Sequence, residues 1–149
     1  IARQLRIPFT WFGHCRQIPM LELILQRFPE VNVIIDHLGE PRLSEGLDGD
    51  FSLLLQAARH PNLYVKATRI DGISNQPWPH QDVHPYIKAV FEAFGPERML
   101  GCTGFPENPK RGEAVGFRVI EEGLDFLSAK DKSWLLGKTA DALYRRSFD

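Results

Sequence analysis

Val31-Asn32-Val33-Ile34-Ile35-Asp36 is nearly all apolar and β-branched, and His37-Leu38 follows before Gly39-Glu40-Pro41 breaks the run. A continuous β-branched stretch of this length suits a parallel strand buried on both faces, because helices must then cover the sheet. Upstream, Pro19 stands where helices accept proline, at the first position. Met20, Leu21, Leu23, Ile24, Leu25 and Phe28 follow at near-helical spacing until Phe28-Pro29 ends that helix.

The same alternation extends in both directions. Ile7 to Phe12 is aromatic-rich and reads as a first strand, with Pro8 at its start. A polar loop covers Arg42 to Asp50, and Asp50 is placed to cap a helix over Phe51 to Arg59. His60-Pro61-Asn62 is a turn, Leu63 to Thr68 a third strand, and a long loop with Gly72, Pro77, Trp78 and Pro79 follows. Asp82 to Phe94 is predicted helical and stopped by Gly95-Pro96, and Arg98 to Cys102 is a fourth strand. Three helical stretches close the chain, over about Glu113 to Leu127, Ala129 to Leu136 and Thr139 to Arg145. Repeated β-α units of about 30 residues predict a parallel sheet with right-handed crossovers. The 149 residues, 43% hydrophobic, suffice for a single domain over 1–149.

Composition narrows the function classes. With 18 basic and 19 acidic residues the net charge is −1, and the basic residues form no stripe, so a nucleic-acid surface is not expected. The densest basic pair, Arg145-Arg146, reads as solvated helix surface. Two cysteines, Cys15 and Cys102, are too few for a disulfide framework and fit a reducing, cytoplasmic setting. No apolar run approaches the ~18 residues of a spanning helix, and the opening Ile1-Ala2-Arg3-Gln4 does not read as a signal peptide. The chain does not begin with Met, which suggests a piece of something longer.

Four segments, in order, resemble the second half of the amidohydrolase-related (amidohydrolase 2) family, with the lactonase-like branch nearest. Residues 26–41, QRFPEVNVIIDHLGEP, are similar to that family's strand-six segment, and NLYVKAT at 62–68 to its strand-seven segment. FGPERMLGCTGFP at 94–106 resembles the strand-eight segment, and LLGKTADALYR at 135–145 the terminal helix. The resemblance implies a (β/α)8 TIM-barrel, of which this chain supplies the C-terminal half as about four βα units plus closing helices. Arithmetic agrees, since a complete barrel takes about 250 residues. The resemblance further implies a metal-dependent hydrolase with a divalent metal, zinc first, held in part by a His-x-His pair on strand one. No His-x-His occurs here.

In a barrel the working residues stand at the carboxyl ends of strands, which selects His14, His37, Lys66, Thr68 and Thr103. His37 leads: an imidazole ending an apolar strand can ligate a metal or move a proton, or it can be a hydrogen-bonded residue that holds the next loop. Asp36 alternates to the other side and is expected to be a structural acceptor, with backbone donors or an Arg as its partner. His14 is a candidate metal ligand or substrate contact, or a plain loop histidine. Lys66 and Thr68 share a face two residues apart, and Lys66 suits either a substrate carboxylate or an ion pair. His60, His80 and His84 are expected at the surface. The family resemblance places a strand-eight carboxylate where this chain has Thr103 or Gly104, and neither can ligate as a carboxylate. Glu107 stands three residues beyond Gly104.

Three readings follow. The chain is part of a hydrolase acting on a lactone or related C–O or C–N bond in a small carboxylated substrate, with a decarboxylase as the variant within the class. Alternatively it is a catalytically inactive or truncated barrel serving as a binding or assembly module. Either way it is expected to self-associate or to pair with a missing N-terminal half, because a half barrel exposes two edges and an apolar sheet face. An unrelated doubly wound α/β domain also satisfies the strand count, but no Gly-x-Gly-x-x-Gly or phosphate loop supports a nucleotide ligand.

Overall fold

The computed structural model describes residues 1–103 and 115–145. A short helix, Ala2–Leu5 (α1), leads into strand Phe9–Trp11 (β1). Helix Ile18–Arg27 (α2) precedes Val33–Ile35 (β2), and Phe51–Ala57 (α3) precedes Leu63–Ala67 (β3). Beyond β3 come Ile70–Ile73 (α4), His84–Phe94 (α5) and Met99–Gly101 (β4). Val115–Arg118 (α6) runs on into a wider helical turn, Val119–Gly123. Ala129–Ser133 (α7) and Thr139–Arg145 (α8) are joined by a second such turn at Trp134–Lys138.

The strands pair in the order β1-β2-β3-β4, all parallel. Val33 opposes Phe9 and Leu63, Ile34 opposes Thr10 and Tyr64, and Lys66 opposes Leu100. Side chains alternate along a strand, so this register divides them into two sets. Val33, Ile35, Leu63, Val65, Ala67 and Met99 enter the main core with Leu21, Leu25, Leu54, Ile87 and Val90 of the helices. Ile34, Tyr64 and Leu100 lie on the other face, against Ala140 and Leu143 of α8.

That last contact corrects an expectation. The inner sheet face is not left bare, because α8 covers part of it. The exposed large apolar side chains fall mostly within the first 24 residues: Ile1, Leu5, Ile7, Phe9 and Phe12 before α2, and Met20, Leu23 and Ile24 on it, with Trp78 and Tyr144 elsewhere. The strands are also shorter than the sequence suggests, and Pro19 is the second residue of its helix. Asp50 stands at the start of α3, but its side chain makes no capping hydrogen bond. Its backbone is already helical, whereas a capping side chain reaches back from an extended residue.

The amino-terminal side of the sheet is stapled by side chains that donate to backbone carbonyls. Asn62 Nδ2 donates to Leu25 O, Phe28 O and Val31 O at 3.3, 3.3 and 3.1 Å, tying the end of α2 to the approach to β2. Arg98 Nη1 donates to Ala58 O and His60 O at 2.8 and 2.9 Å, so a cation meets carbonyls just past the C-terminus of α3. Burial holds the Arg98 guanidinium below its ordinary pKa. Thr139 Oγ1 donates to Pro96 O at 3.0 Å and fixes the start of α8. Gly116 is required where α6 meets the end of β4, since a Cβ there would stand 2.1 Å from Cys102 O. Among the described residues no helix is long and apolar enough to cross a membrane.

Two outcomes follow from this packing. Asn62→Ala leaves three carbonyls without their donor and should cost about 1–3 kcal/mol of unfolding free energy in urea titration; a loss indistinguishable from an exposed-site substitution would show that the staple carries no energy. Burial, with Asp50 nearby, pushes the Cys15 thiol from 9.0 up to about 12. A raised acid pKa leaves stability intact below pH 9.0, and stability falls as pH rises toward 12, because the unfolded chain ionises first. Urea midpoints across that window should fall more steeply in the native protein than in Cys15→Ala, and equal slopes would refute the assignment.

Candidate active site

The carboxyl ends of the strands bring ionisable groups together in pairs. Because Ile35 faces Val65, the next residues along the two strands, Asp36 and Lys66, come abreast on one face. Lys66 Nζ lies 2.8 Å from Asp36 Oδ1, and both side chains are half-buried. Asp36 is thus a structural acceptor, as alternation predicts, but its partner is a lysine rather than an arginine. The ion-pair reading of Lys66 holds in this chain, and any substrate carboxylate would have to compete with Asp36.

A second pair lies one step further out. Arg69 Nη1 is 2.7 Å from Glu40 Oε1. Two salt bridges therefore tie the rim of β2 to the rim of β3. Neither Glu40 nor Arg69 is picked out by the strand pattern, because both lie beyond the strand ends in turns.

The turn after β2 explains how Glu40 gets there. His37, Leu38, Gly39 and Glu40 have φ of 54°, 55°, 69° and 49°, four left-handed residues in succession. Each non-glycine residue in that region costs roughly 1–2 kcal/mol, and such residues ordinarily occur singly. The neighbourhood holds the turn. Gly39 N donates to Asp36 O and Glu40 N to His37 O, each at 2.9 Å. The Leu38 side chain is fully buried, and its carbonyl accepts from Cys15 Sγ at 3.6 Å. A Cβ at Gly39 would stand 2.7 Å from Cys15 Sγ, so glycine is needed for close approach as well as for conformation.

His37 is partly buried at the start of this turn, with the Phe12 ring in a T-shaped contact with it at 5.4 Å between centroids. Its Nδ1 is buried and has no hydrogen-bond partner among the described residues, and the same is true of Thr68 Oγ1 at the end of β3. A buried polar atom left unpaired costs about 1–3 kcal/mol, so two of them on neighbouring strand ends mark a place where stability is not the only requirement.

The other sequence-selected residues fall as follows. His14 is exposed in the loop after β1, where its backbone N–H donates to Gln17 Oε1 at 2.9 Å. Thr103 is half-buried just past β4. Gly104 and Glu107 lie outside the described residues. His80 is buried rather than at the surface, with Nδ1 2.9 Å from Gln76 O, and His84 Nε2 lies 2.8 Å from Pro79 O. His60 is half-buried on Glu22, on the opposite side of the sheet from the rim. Turn carbonyls engage the His80 and His84 rings and a carboxylate engages His60, which residue type alone does not foretell.

A catalytic zinc takes about three protein ligands. The described residues contain no group of three His, Cys, Asp or Glu side chains able to hold a metal. His37 Nδ1 is one nitrogen suited to ligation, and Asp36 is engaged by Lys66. By themselves these residues do not fit a metal centre.

Comparison with known proteins agrees with this arrangement. The amidohydrolase family model (Amidohydro_2) matches residues 1–146. The L-fucono-1,5-lactonase of Burkholderia ambifaria is 30% identical over 139 residues, 87% of this chain and 47% of that protein. The 4-sulfomuconolactone hydrolase of Hydrogenophaga intermedia is 32% identical over 79 residues, 52% of this chain and 26% of its own length. A crystal structure of an amidohydrolase from Burkholderia multivorans with bound zinc superposes with a TM-score of 0.79 at 20% identity, over 97% of this chain and 54% of that one. This chain spans at most about half the length of these relatives. The four parallel βα units correspond to part of a TIM barrel, and the chain belongs to the amidohydrolase family.

Proposed function

We propose that this chain supplies the C-terminal four βα units of a barrel that hydrolyses a lactone or related C–O or C–N bond in a small carboxylated substrate. The observation that carries the reading is the rim itself. His37 Nδ1 and Thr68 Oγ1 are buried and have no hydrogen-bond partner among the described residues, and each belongs to a residue just past the carboxyl end of a strand, the end where barrel enzymes keep their chemistry. Relatives named as a fuconolactonase and a sulfomuconolactone hydrolase favour cleavage of a cyclic ester over decarboxylation.

In this proposal His37 moves a proton or ligates at the reacting centre, and Thr68 Oγ1 offers a hydrogen bond to bound substrate. Lys66 meets a substrate carboxylate by exchanging its partner Asp36. His14, on the outer rim, is a substrate contact at most in this chain alone. A divalent cation, zinc first, would need the rest of a complete barrel for its remaining ligands.

The half-barrel geometry implies a partner. β1 pairs only with β2 among the described residues, Phe9 on that strand is exposed, and so are Met20, Leu23 and Ile24 on α2. Unpaired parallel edges and exposed apolar groups favour association. The partner is a second copy or a preceding half barrel, and neither a nucleic acid nor a membrane is part of the proposal.

The alternative, a scaffold without catalysis, draws on the lack of a three-ligand cluster among the described residues. One measurement tests the association and a second separates the readings. The mass of the chain by light scattering should exceed the 17.0 kDa of one copy, and a strict monomer at all concentrations would contradict the association. Hydrolysis of simple sugar lactones by the assembled barrel should fall at least ~100-fold in kcat on His37→Ala, the scale of a lost general acid–base group. Turnover unaffected by that change, or none in the native protein, would favour the scaffold.

A further inference from the structure

We propose that Glu40 is a positioning residue: its ion pair with Arg69 holds the left-handed turn 37–40 closed and thereby fixes the His37 imidazole at the rim. The inference rests on the reading of His37 as a working group, but its first test does not need turnover.

Three features lead to it. The turn places four successive residues at positive φ, and only Gly39 accepts that conformation without strain. Two of the other three have a visible restraint on the turn. Leu38 is anchored by complete burial and by the Cys15 Sγ contact to its carbonyl. Glu40 lies at the turn's end, only partly buried, and the side-chain contact that restrains it is the 2.7 Å pair to Arg69. His37, the remaining one, has no hydrogen bond to its buried Nδ1 among the described residues, and its ring contact is the T-shaped one with Phe12. With no hydrogen bond to fix Nδ1, the orientation of the imidazole depends on the backbone on which it is mounted, and that backbone carries the Glu40–Arg69 pair at its far end.

Arg69 is well suited to the other side of the clamp. It stands two residues past the end of β3 and is itself left-handed, with φ of 57°. A Cβ on Gly72 would come within 3.0 Å of Arg69 Nε and 2.9 Å of its Cγ, so the arginine side chain is packed along the following turn. A guanidinium on a short tether from one strand thus meets a carboxylate on a short tether from the next. The pair couples the two rims independently of the Asp36–Lys66 bridge.

Paired substitutions separate positioning from a direct role in binding or charge. Glu40→Ala removes the carboxylate and keeps the strained conformation, whereas Glu40→Gly removes the carboxylate and the strain together. The readout is the cross-relaxation between the Phe12 and His37 rings in the full chain by NMR, with kcat and KM for lactone hydrolysis measured in parallel. Positioning predicts that Glu40→Ala weakens the ring–ring signal several-fold and lowers kcat more than it raises KM, while Glu40→Gly restores both toward native values. A Glu40→Ala variant with an undiminished ring signal would overturn the proposal, as would a Glu40→Gly variant as impaired as Glu40→Ala. Should Glu40→Ala fail to fold, a folded Glu40→Gly with an intact signal supports the clamp, and an unfolded one refutes it. If the ring signals behave as expected but His37→Ala leaves turnover unchanged, the clamp stands and the catalytic reading of His37 fails.

Discussion

The parallel register of β2 against β3 governs what meets at the rim. With Ile35 opposite Val65, Asp36 and Lys66 fall side by side, and His37 and Thr68 follow just beyond them on the two chains. A shift of one residue would send every side chain on β2 to the other face. Ile35 would leave the helix-packed core for the side covered by α8, and Asp36 would enter the apolar layer. Such a shift is blocked by Val33, Ile35, Leu63 and Val65, all fully or almost fully buried against the helices. The core therefore holds the rim geometry in place, and Leu38 and Cys15, both core residues, anchor the turn directly.

The two ends of the sheet use polar groups differently. At the amino end, Asn62, Arg98 and Thr139 satisfy backbone carbonyls and join α2, α3 and α8 to the strands. Donors and acceptors match there, and the result is rigidity. At the carboxyl end, charges pair with each other, four backbone residues are left-handed, and two buried polar atoms lack partners among the described residues. Strain and unsatisfied groups concentrate where a protein uses stability to hold a geometry for another purpose. The division matches the general behaviour of barrels, in which one end is for stability and the other for chemistry.

Much of this fold was legible in the residues. The β-branched run before Asp36 announces a strand covered on both faces, and Phe28-Pro29 and Gly95-Pro96 mark where helices stop. Alternation correctly sets Asp36 apart as a structural acceptor. What could not be read was the partner: choosing Lys66 over an arginine needs the register between strands about thirty residues apart. The left-handed turn was hidden too. His37 and Leu38 give no local signal for positive φ, and the conformation is imposed by packing against Cys15 from another loop. His80 and His84 looked like surface residues because loops usually run over the surface, yet the long 74–83 loop folds onto its own carbonyls. The inner sheet face likewise looked bare until α8 was seen to pack on it, a contact across more than a hundred residues of sequence.

The claim at the centre is that His37 Nδ1 and Thr68 Oγ1 face a ligand rather than sit idle in the protein interior. A crystal structure of the chain grown with a hydroxy acid derived from a sugar lactone tests it most directly. Bound-ligand or ion density about 3 Å from both His37 Nδ1 and Thr68 Oγ1 is the expected result, the distance of an ordinary hydrogen bond. Both atoms hydrogen-bonded within the protein, with the acid absent or bound away from the rim, would contradict it.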